Sequence, residues 1–301
     1  MPGNDTKCFV TTINLSLASK LKGDLEEQGF ELKKPVYTVF QAKKKGVSLT
    51  LYESGKLMVQ GKNKHEFITY YLEPEILQDL AYSYPEKNVE MHERIGVDEA
   101  GKGDYFGPLC IGGLYVNGEE DITKLLKMGV KDSKRINDDK ILKLAKEIKK
   151  SFKYSVVRIF PKRYNEMYNT FHNLNQMLAW GHASAIEKLV EDTGCSSAII
   201  DQFASEHVVE KALSRKSVEI NLVQRHKGEE DPVVAGASIL ARASFVEGLD
   251  ELKEQFALKL PKGASAQVID AAKIAVIKHG ETILQDVAKL HFKTTEQVLI
   301  G

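Results

Sequence analysis

The chain has 301 residues, of which 43% are hydrophobic and 28% are charged. At roughly 100 to 200 residues per domain, this length predicts two domains or one large one. The composition excludes a disordered chain, a collagen-like repeat and a disulfide-rich miniature scaffold. Basic and acidic residues are equal in number, 42 of each, so the net charge indicates no anionic partner. The three cysteines, Cys8, Cys110 and Cys195, are far apart, which argues against a disulfide framework and a cysteine-based zinc site.

The sequence also shows no targeting or membrane pattern. There is no apolar run of about 18 residues, and the first residues, MPGNDTKCFVTTINL, lack the basic, apolar and small-residue regions of a signal peptide. We therefore expect a cytoplasmic protein that does not associate with membranes. Because no heptad seam is present, we expect a monomer.

Residues 1–82 are predicted to form a small α+β domain. Apolar residues at helical spacing predict a helix over 15–29, with Gly29 as its C-cap. Alternating apolar residues then predict three strands and two short helices, at 36–40, 47–51, 57–59, 64–72 and 74–81. Residues 83–91 are polar and contain Pro85, so they are predicted to be a linker.

Residues 92–301 are predicted to form an α/β domain, because strand-like apolar runs alternate with helical patterns. The predicted strands are 94–97, 109–116, 156–160, 198–200 and 218–223. The predicted helices are 138–150, 174–192, 232–256 and 270–278. This alternation favours a mixed sheet that is covered by helices.

The first domain carries a strongly basic stretch. Residues 33–64 contain eight lysines and a single acid, Glu53, which gives a local net charge of +7. Edge strands commonly carry lysines that prevent pairing with another chain, so a solvated strand surface is one interpretation. An anion-binding patch is the other.

The most unusual segment is residues 94–108, RIGVDEAGKGDYFGP. A short apolar strand runs into the adjacent acids Asp98 and Glu99, and a glycine-lysine-glycine loop follows. A carboxylate at the end of a buried strand is retained only if it is paired, hydrogen-bonded or bound to a metal. Residues 96–102 also match the first part of a phosphate-binding P-loop. That interpretation fails because Gly103 replaces the metal-binding hydroxyl residue and because the two acids would repel phosphates.

Two further acids stand in similar positions. Asp201 follows the apolar run 198–200, and Asp231 precedes Pro232 at the start of a small-residue helix. An aspartate before a proline is also a strong helix N-cap. A capping role for Asp231 and a plain loop role for Asp201 therefore stay open.

The four carboxylates together indicate a chemistry. Asp98, Glu99, Asp201 and Asp231 belong to one α/β domain, beside a glycine-lysine-glycine loop and without a histidine or cysteine cluster. Oxygen ligands favour magnesium or manganese. Two such ions can activate a water and stabilise a leaving oxygen, which is the arrangement used for phosphodiester hydrolysis.

These motifs resemble the type 2 ribonucleases H. The signature is DEAGKG at 98–103, and Asp201 and Asp231 fall where that family has its third and fourth metal-binding carboxylates. Three further segments match the family: DSK at 132–134, NLNQ at 173–176 and AGASILA at 235–241.

Other segments resemble the ribonuclease HIII branch of that family. These are GDYFGP at 103–108, LPKGA at 260–264 and HF at 291–292. Residues 49–61, LTLYESGKLMVQG, resemble the strand hairpin of the TATA-binding protein fold, which this branch carries ahead of its catalytic domain.

The resemblance implies a ribonuclease H-like mixed sheet flanked by helices, preceded by a small α+β domain like the TATA-binding protein. It implies an endonuclease that hydrolyses the RNA strand of RNA/DNA hybrids with two Mg²⁺ or Mn²⁺ ions and leaves 5′-phosphate and 3′-hydroxyl ends. The expected partner is therefore an RNA/DNA hybrid.

The resemblance also implies roles for individual residues. Asp98, Glu99, Asp201 and Asp231 would hold the ions, with Asp98 bridging them. The backbone at Gly101, Lys102 and Gly103 would contact the 2′-hydroxyl groups that distinguish RNA from DNA. The other expected substrate contacts are Ser133, Lys134, Lys43, Lys45, Lys56 and Lys62.

Three alternatives stay open. Ribonuclease HII senses an RNA-DNA junction with a tyrosine that has no convincing equivalent after Asp231, which argues against HII-like cleavage at single ribonucleotides. A metal-dependent DNA nuclease would have similar acids but no use for a loop that contacts 2′-hydroxyls. A binding module with a dead hydrolase domain would have lost carboxylates, and none of the four is substituted. His172 and His182 are interpreted as structural, and Glu247 has no assigned role.

Overall fold

The structure is a computed structural model, and it describes residues 8–77, 89–130, 136–203, 206–226 and 228–300. The chain divides into two compact units, Met1–Glu90 and Met91–Gly301. We call them the N-terminal unit and the C-terminal unit.

The N-terminal unit contains a five-stranded antiparallel sheet with the strand order β1-β5-β4-β3-β2. Its strands are β1 (Cys8–Thr12), β2 (Glu31–Lys33), β3 (Thr38–Lys44), β4 (Val47–Tyr52) and β5 (Lys56–Gln60). Its helices are α1 (Ala18–Glu27) and α2 (Lys64–Phe67), which continues as a π-helix over Ile68–Leu77. Apolar side chains of both helices and of one sheet face form a single core.

The predicted helix over 15–29 and the three predicted strands of this unit are confirmed. The short edge strands β1 and β2 were not predicted, because their sequences, CFVTT and ELK, show little alternation. The predicted break at Pro74 is wrong, since the π-helix runs through this residue. Residues 78–81 of the second predicted helix lie outside the described residues.

The C-terminal unit contains a mixed five-stranded sheet with the order β10-β9-β6-β7-β8. Its strands are β6 (Arg94–Ala100), β7 (Leu109–Val116), β8 (Tyr154–Ile159), β9 (Ser197–Asp201) and β10 (Asn221–Arg225). β6 is parallel to β9 and antiparallel to β7, while β9 and β10 are parallel. The three parallel strands therefore end at the same edge of the sheet.

Helices cover both faces of this sheet. They are α3 (Glu119–Lys127), α4 (Asp138–Ser151), α5 (Pro161–Phe171), α6 (Leu174–Thr193), α7 (Glu206–Ser214), α8 (Pro232–Phe256), α9 (Ala266–His279), α10 (Ile283–Val287) and α11 (Lys293–Leu299). Side chains of α6 share a core with β6, β7 and β9, and α8 packs against β6 and β7 on the other face. This architecture and that of the N-terminal unit confirm the predicted fold class.

Small residues let α8 approach the sheet closely. A Cβ atom at Gly96 would lie only 2.5 Å from the backbone of Val233, so β6 and the start of α8 touch backbone to backbone. By length and composition α8 could cross a membrane, but 89% of its most apolar window is buried inside the protein. It is the central core helix of this unit.

Two strand predictions need correction. β6 continues to Ala100, so Asp98 and Glu99 are among the last three residues of the strand rather than after it. β10 begins at Asn221, three residues later than predicted. Five helices, α3, α5, α7, α10 and α11, were not predicted, because each is short, with at most 11 residues, and so shows the helical spacing over few turns.

Candidate active site

Asp98 and Asp201 lie side by side at the ends of two neighbouring strands. The register of β6 and β9 pairs Val97 with Ile200, so the next residue of each strand is one of these aspartates. Residues that pair across parallel strands point to the same side of a sheet, here the side covered by α8. The fold therefore brings two of the predicted ligands together.

The Asp98 carboxylate is short of positive charge. Its Oδ1 atom accepts the Glu99 amide at 2.7 Å, and Ser238 on α8 supplies a hydroxyl hydrogen bond. Burial, followed by the negative charge of Glu99, raises the pKa of Asp98, and the charge of Asp201 adds to this effect. A half-buried carboxylate beside two like charges is stabilised strongly by a bound cation.

Glu99 points to the opposite face, toward α6. Its Oε2 atom accepts from Nε2 of His182 at 3.1 Å, and its Oε1 atom lies 3.5 Å from Nζ of Lys102. Burial by itself would raise the pKa of Glu99, but His182 and Lys102 outweigh it and lower the pKa. Glu99 is therefore held as an anion by two protein donors.

The glycine-lysine-glycine loop leaves the end of β6 by a tight turn. Gly101 has a φ of +85°, and a Cβ atom there would lie 2.3 Å from the carbonyl oxygen of Pro108, so only glycine fits. A Cβ atom at Gly103 would meet nothing within 4 Å, so this end of the loop faces open space. Lys102 between them is 39% exposed.

Asp201 is tied to the loop that precedes α8. Its Oδ1 atom accepts the amide of Gly228 at 2.8 Å. A Cβ atom at Gly228 would come within 2.8 Å of the Asp201 backbone, which shows how tightly the two segments pack.

Asp231 has a different set of partners. Its Oδ1 atom accepts the amides of Val233 and Val234 at 2.8 and 3.4 Å, which is the N-cap of α8. Its Oδ2 atom accepts from Nε and Nη2 of Arg94 at 3.1 and 2.9 Å. A carboxylate has about four lone-pair positions, and protein donors use all of them here. These contacts are those of the capping role.

The remaining acids suit an open metal site. Within the described ranges, no group of three or more His, Cys, Asp or Glu side chains is close enough together to hold a metal ion by itself. Magnesium is usually held by one or two carboxylates together with waters and substrate phosphates rather than by protein alone. The all-oxygen donors of Asp98, Glu99 and Asp201 and the unbalanced charge at Asp98 fit such ions.

The other predicted site residues are more scattered. Ser133 and Lys134 lie outside the described residues. Lys43 and Lys62 line one shallow groove on the N-terminal sheet with Gln60 and Ser48. Lys45 is exposed in the adjoining turn, and Lys56 is exposed at the opposite end of β5. Glu247 lies on the surface of α8, with Oε2 at 3.0 Å from Nη2 of Arg158.

Sequence reasoning missed two residues of the site. Arg94, the partner of Asp231, is 137 positions away along the chain. His182 was interpreted as a structural residue of the long helix, and no pattern in the sequence connects it with Glu99. Each becomes visible only when the helices are packed on the sheet.

Comparisons with known proteins agree with this geometry. The family model described as Ribonuclease HII matches residues 95–295, and one described as a domain of unknown function, DUF3378, matches residues 8–81. The chain belongs to the ribonuclease HII family. A protein of Protochlamydia amoebophila named Ribonuclease HIII is 50% identical over 97% of this chain and 96% of its own length. A Chlamydia felis protein of the same name is 49% identical over 96% and 97%.

Solved ribonuclease HIII structures match as well. Bst-RNase HIII, crystallised in complex with Mn²⁺, aligns with a TM-score of 0.69 and 30% identity over 97% of this chain and 98% of that one. RNase H3 of Aquifex aeolicus aligns with a TM-score of 0.55 and 28% identity over 94% and 99%.

These matches confirm the resemblance to the ribonuclease HIII branch. The protein is a ribonuclease H, an endonuclease that hydrolyses the RNA strand of RNA/DNA hybrids with Mg²⁺ or Mn²⁺. This identification argues against a phosphate-binding P-loop and against a binding module with an inactive hydrolase domain.

Proposed function

We propose that Asp98, Glu99 and Asp201 form the divalent-metal centre at which this ribonuclease H cleaves RNA. The proposal rests mainly on the positions of Asp98 and Asp201, each one residue beyond the paired residues Val97 and Ile200 of neighbouring strands. There, burial and like charge raise the pKa of Asp98. Asp98, Glu99 and Asp201 would hold two Mg²⁺ or Mn²⁺ ions, which would supply activation of a water and stabilisation of the leaving oxygen.

The protein's own groups prepare this centre. Ser238 and the Glu99 amide orient Asp98 toward α8, and the Gly228 amide orients Asp201 on the same side of the sheet. Because hydrogen bonds fix these carboxylates before any ion arrives, little reorganisation is needed when the ions bind.

Asp231, the fourth carboxylate of the family resemblance, acts here as a positioning residue for α8. Its four acceptor positions are filled by Arg94 and by the first amides of the helix. Glu229 is the better candidate for an additional acid at the centre, since it follows the glycine that bonds to Asp201.

The loop of Gly101, Lys102 and Gly103 contacts the RNA strand next to this centre. Gly103 faces open space, so its backbone is free to approach 2′-hydroxyl groups. Ser133 and Lys134 add a phosphate contact, a role that rests on the sequence resemblance. A Gly103→Ala variant folds normally because nothing obstructs the new methyl group. It is expected to raise the KM for the hybrid.

Residues 1–82 bind the hybrid, residues 83–91 link them to the catalytic domain, and residues 92–301 perform the cleavage. The groove lined by Lys43 and Lys62, with Lys45 beside it, is the favoured contact with the phosphate backbone, and Lys56 is a secondary contact. Charge reversal at Lys43 should weaken hybrid binding and lower the salt dependence by about one phosphate contact. Lys22→Glu is the matched control, because Lys22 is exposed on α1, away from this groove.

The finer points of the activity follow from the same features. We propose that the enzyme is a cytoplasmic monomer that acts without a membrane. Among the described residues, one helix, α8, is long and apolar enough to cross a membrane, and it is a core element. Size-exclusion chromatography with light scattering checks the monomer. The preferred substrate is a continuous hybrid rather than a single embedded ribonucleotide.

The test uses three labelled duplexes: an RNA/DNA hybrid, DNA with one ribonucleotide, and plain DNA. The wild type with Mg²⁺ or Mn²⁺ should cut the hybrid, and Asp98→Asn and Asp201→Asn should not, while all three still bind it. A variant that cleaves at nearly the wild-type rate would refute the metal-centre assignment. Efficient cutting at the single ribonucleotide would shift the activity toward that of ribonuclease HII.

A further inference from the structure

His182 is a buried polar residue with one specific contact. It lies on α6 and is fully buried, and its Nε2 atom contacts Oε2 of Glu99 at 3.1 Å. Within the described part of the chain, its other ring nitrogen, Nδ1, is buried without a hydrogen-bond partner. Since an ionised carboxylate can accept hydrogen bonds but cannot donate them, Nε2 of His182 carries a proton and donates to Glu99.

An unpartnered ring nitrogen makes this histidine unfavourable as a simple core residue. The neighbouring core positions of α6 are filled by apolar side chains such as Leu178 and Ile186, which need no hydrogen bonds. A buried nitrogen without a partner destabilises a fold. The contact with Glu99 is therefore the physical reason for a histidine at this position.

The orientation of the imidazole is set by packing rather than by a hydrogen bond from behind. The ring of Phe203 lies 4.6 Å from that of His182. Phe203 follows Asp201, the last residue of β9, by two positions. His182 therefore contacts Glu99 on β6 and the segment just after β9. The centre of the same Phe203 ring lies 5.8 Å from Nζ of Lys102, which is positioned over the ring.

The two donors to Glu99 differ in their access to solvent. His182 is completely buried, whereas Lys102 is 39% exposed and belongs to the loop proposed to contact RNA. Lys102 can therefore be replaced by another cation at Oε1 of Glu99, while His182 cannot leave Oε2 without disrupting the core.

We propose that His182 is a positioning residue that holds Oε2 of Glu99 permanently and leaves Oε1 as the oxygen that exchanges Lys102 for a divalent cation. This inference rests on the proposed role of Glu99 in metal binding. In the metal-bound protein, Lys102 is released from Glu99 and is available to the phosphate backbone of the hybrid.

The test measures Mn²⁺ binding to the full-length chain by the electron paramagnetic resonance signal of the free ion. His182→Leu removes the hydrogen bond but keeps an apolar core, and it should weaken Mn²⁺ binding about 10- to 100-fold, as is typical when the hydrogen-bond partner of a ligand is lost. His182→Gln keeps an N–H donor and should retain affinity close to that of the wild type. His182→Asn is a shorter amide that cannot reach Glu99, and it should behave like His182→Leu.

The same substitutions in a Glu99→Gln background separate the possible outcomes. If His182 acts through Glu99, His182→Leu has no further effect on Mn²⁺ binding in that background. Normal Mn²⁺ binding by His182→Leu and His182→Asn, together with weakened binding by Glu99→Gln, would overturn this inference alone. Unchanged binding by Glu99→Gln itself would overturn the proposed metal centre and this inference with it. Circular dichroism confirms that each variant is folded.

Discussion

Two aspartates of the C-terminal unit, the half-buried Asp98 near the end of β6 and the buried Asp231 at the start of α8, are stabilised in opposite ways. Asp231 has four hydrogen bonds and the positive charge of Arg94. Asp98 has two hydrogen bonds, and its charged neighbours, Glu99 and Asp201, are negative. The protein supplies hydrogen bonds and a positive charge to Asp231, whereas the charged neighbours of Asp98 repel its carboxylate.

In the proposed assignment, this difference separates a structural acid, Asp231, from a functional one, Asp98. A buried carboxylate with all its acceptor positions filled stabilises the fold, because Arg94 and the helix amides compensate its lost hydration. A carboxylate left beside like charges destabilises the fold unless a cation binds. Perturbed groups of this second kind are typical of active sites.

The largest expected effect is on catalysis at Asp98. Asp98→Asn should reduce hybrid cleavage about 1,000-fold or more, because metal-assisted stabilisation of the transition state is lost. The melting temperature should stay the same or rise, since a neutral amide removes the repulsion with Glu99 and Asp201. Cleavage assays and thermal unfolding check both parts, and a marked fall in stability would show that Asp98 is a structural acid.

The next largest effect is on stability at Asp231. Arg94→Met leaves a buried, unpaired carboxylate and should lower the free energy of unfolding by about 3 to 5 kcal/mol. Urea denaturation measures the change. The double variant Arg94→Met/Asp231→Leu should recover much of it, because neither charge then remains buried. A loss of less than about 1 kcal/mol in the single variant, as for an exposed pair, would contradict the structural role.

Lys289 extends the comparison to a buried base. It is fully buried, its Nζ atom donates to the carbonyl oxygens of Asp104 and Gly107 at 2.8 and 2.7 Å, and burial lowers its pKa from 10.5 to about 7. A neutral amine has two N–H donors, so it satisfies both carbonyls. Between these two pKa values the unfolded chain holds a proton that the folded chain has released, so stability rises with pH.

We therefore expect the free energy of unfolding to rise from pH 7 to pH 9 more steeply in the wild type than in Lys289→Met. Denaturant titrations at both pH values measure the two slopes. Because only Lys289 differs between the proteins, equal slopes would show that this lysine stays protonated in the folded state.

The smallest effect is expected at an exposed acid. Glu247 is 39% exposed and pairs with Arg158 and Lys149 on the surface. Glu247→Gln should change the free energy of unfolding by at most about 1 kcal/mol, and Mn²⁺ binding should be unaffected. Weakened Mn²⁺ binding would extend the metal centre to α8.

The sequence predicted Asp98, Glu99 and Asp201 because an acid at the end of an apolar strand is a local signal. The sequence also left two roles open for Asp231, metal binding and helix capping, since an aspartate before a proline is a strong N-cap. It did not indicate the contact between Asp231 and Arg94 on which the proposed structural role depends, because Arg94 is 137 positions away along the chain. Pairing of this kind depends on how α8 packs on β6.

The fold shows the same limit. Strands and helices with strong apolar periodicity, such as β7 and α8, were predicted within a few residues. Short polar elements such as β1 and α7 were not, because their formation depends on neighbours that are distant in sequence. His182 was interpreted as structural, but its contact with Glu99 depends on how α6 packs on β6.

The most direct test of the comparison is a Mn²⁺ titration of the wild type, Asp98→Asn and Asp231→Asn, each confirmed as folded by circular dichroism. Asparagine keeps the N-cap at position 231, so this variant loses the charge and the two hydrogen bonds from Arg94 but not the cap. The account predicts that Asp98→Asn loses Mn²⁺ binding and that Asp231→Asn keeps it, with lowered stability. Equal loss of Mn²⁺ binding in the two variants would contradict it.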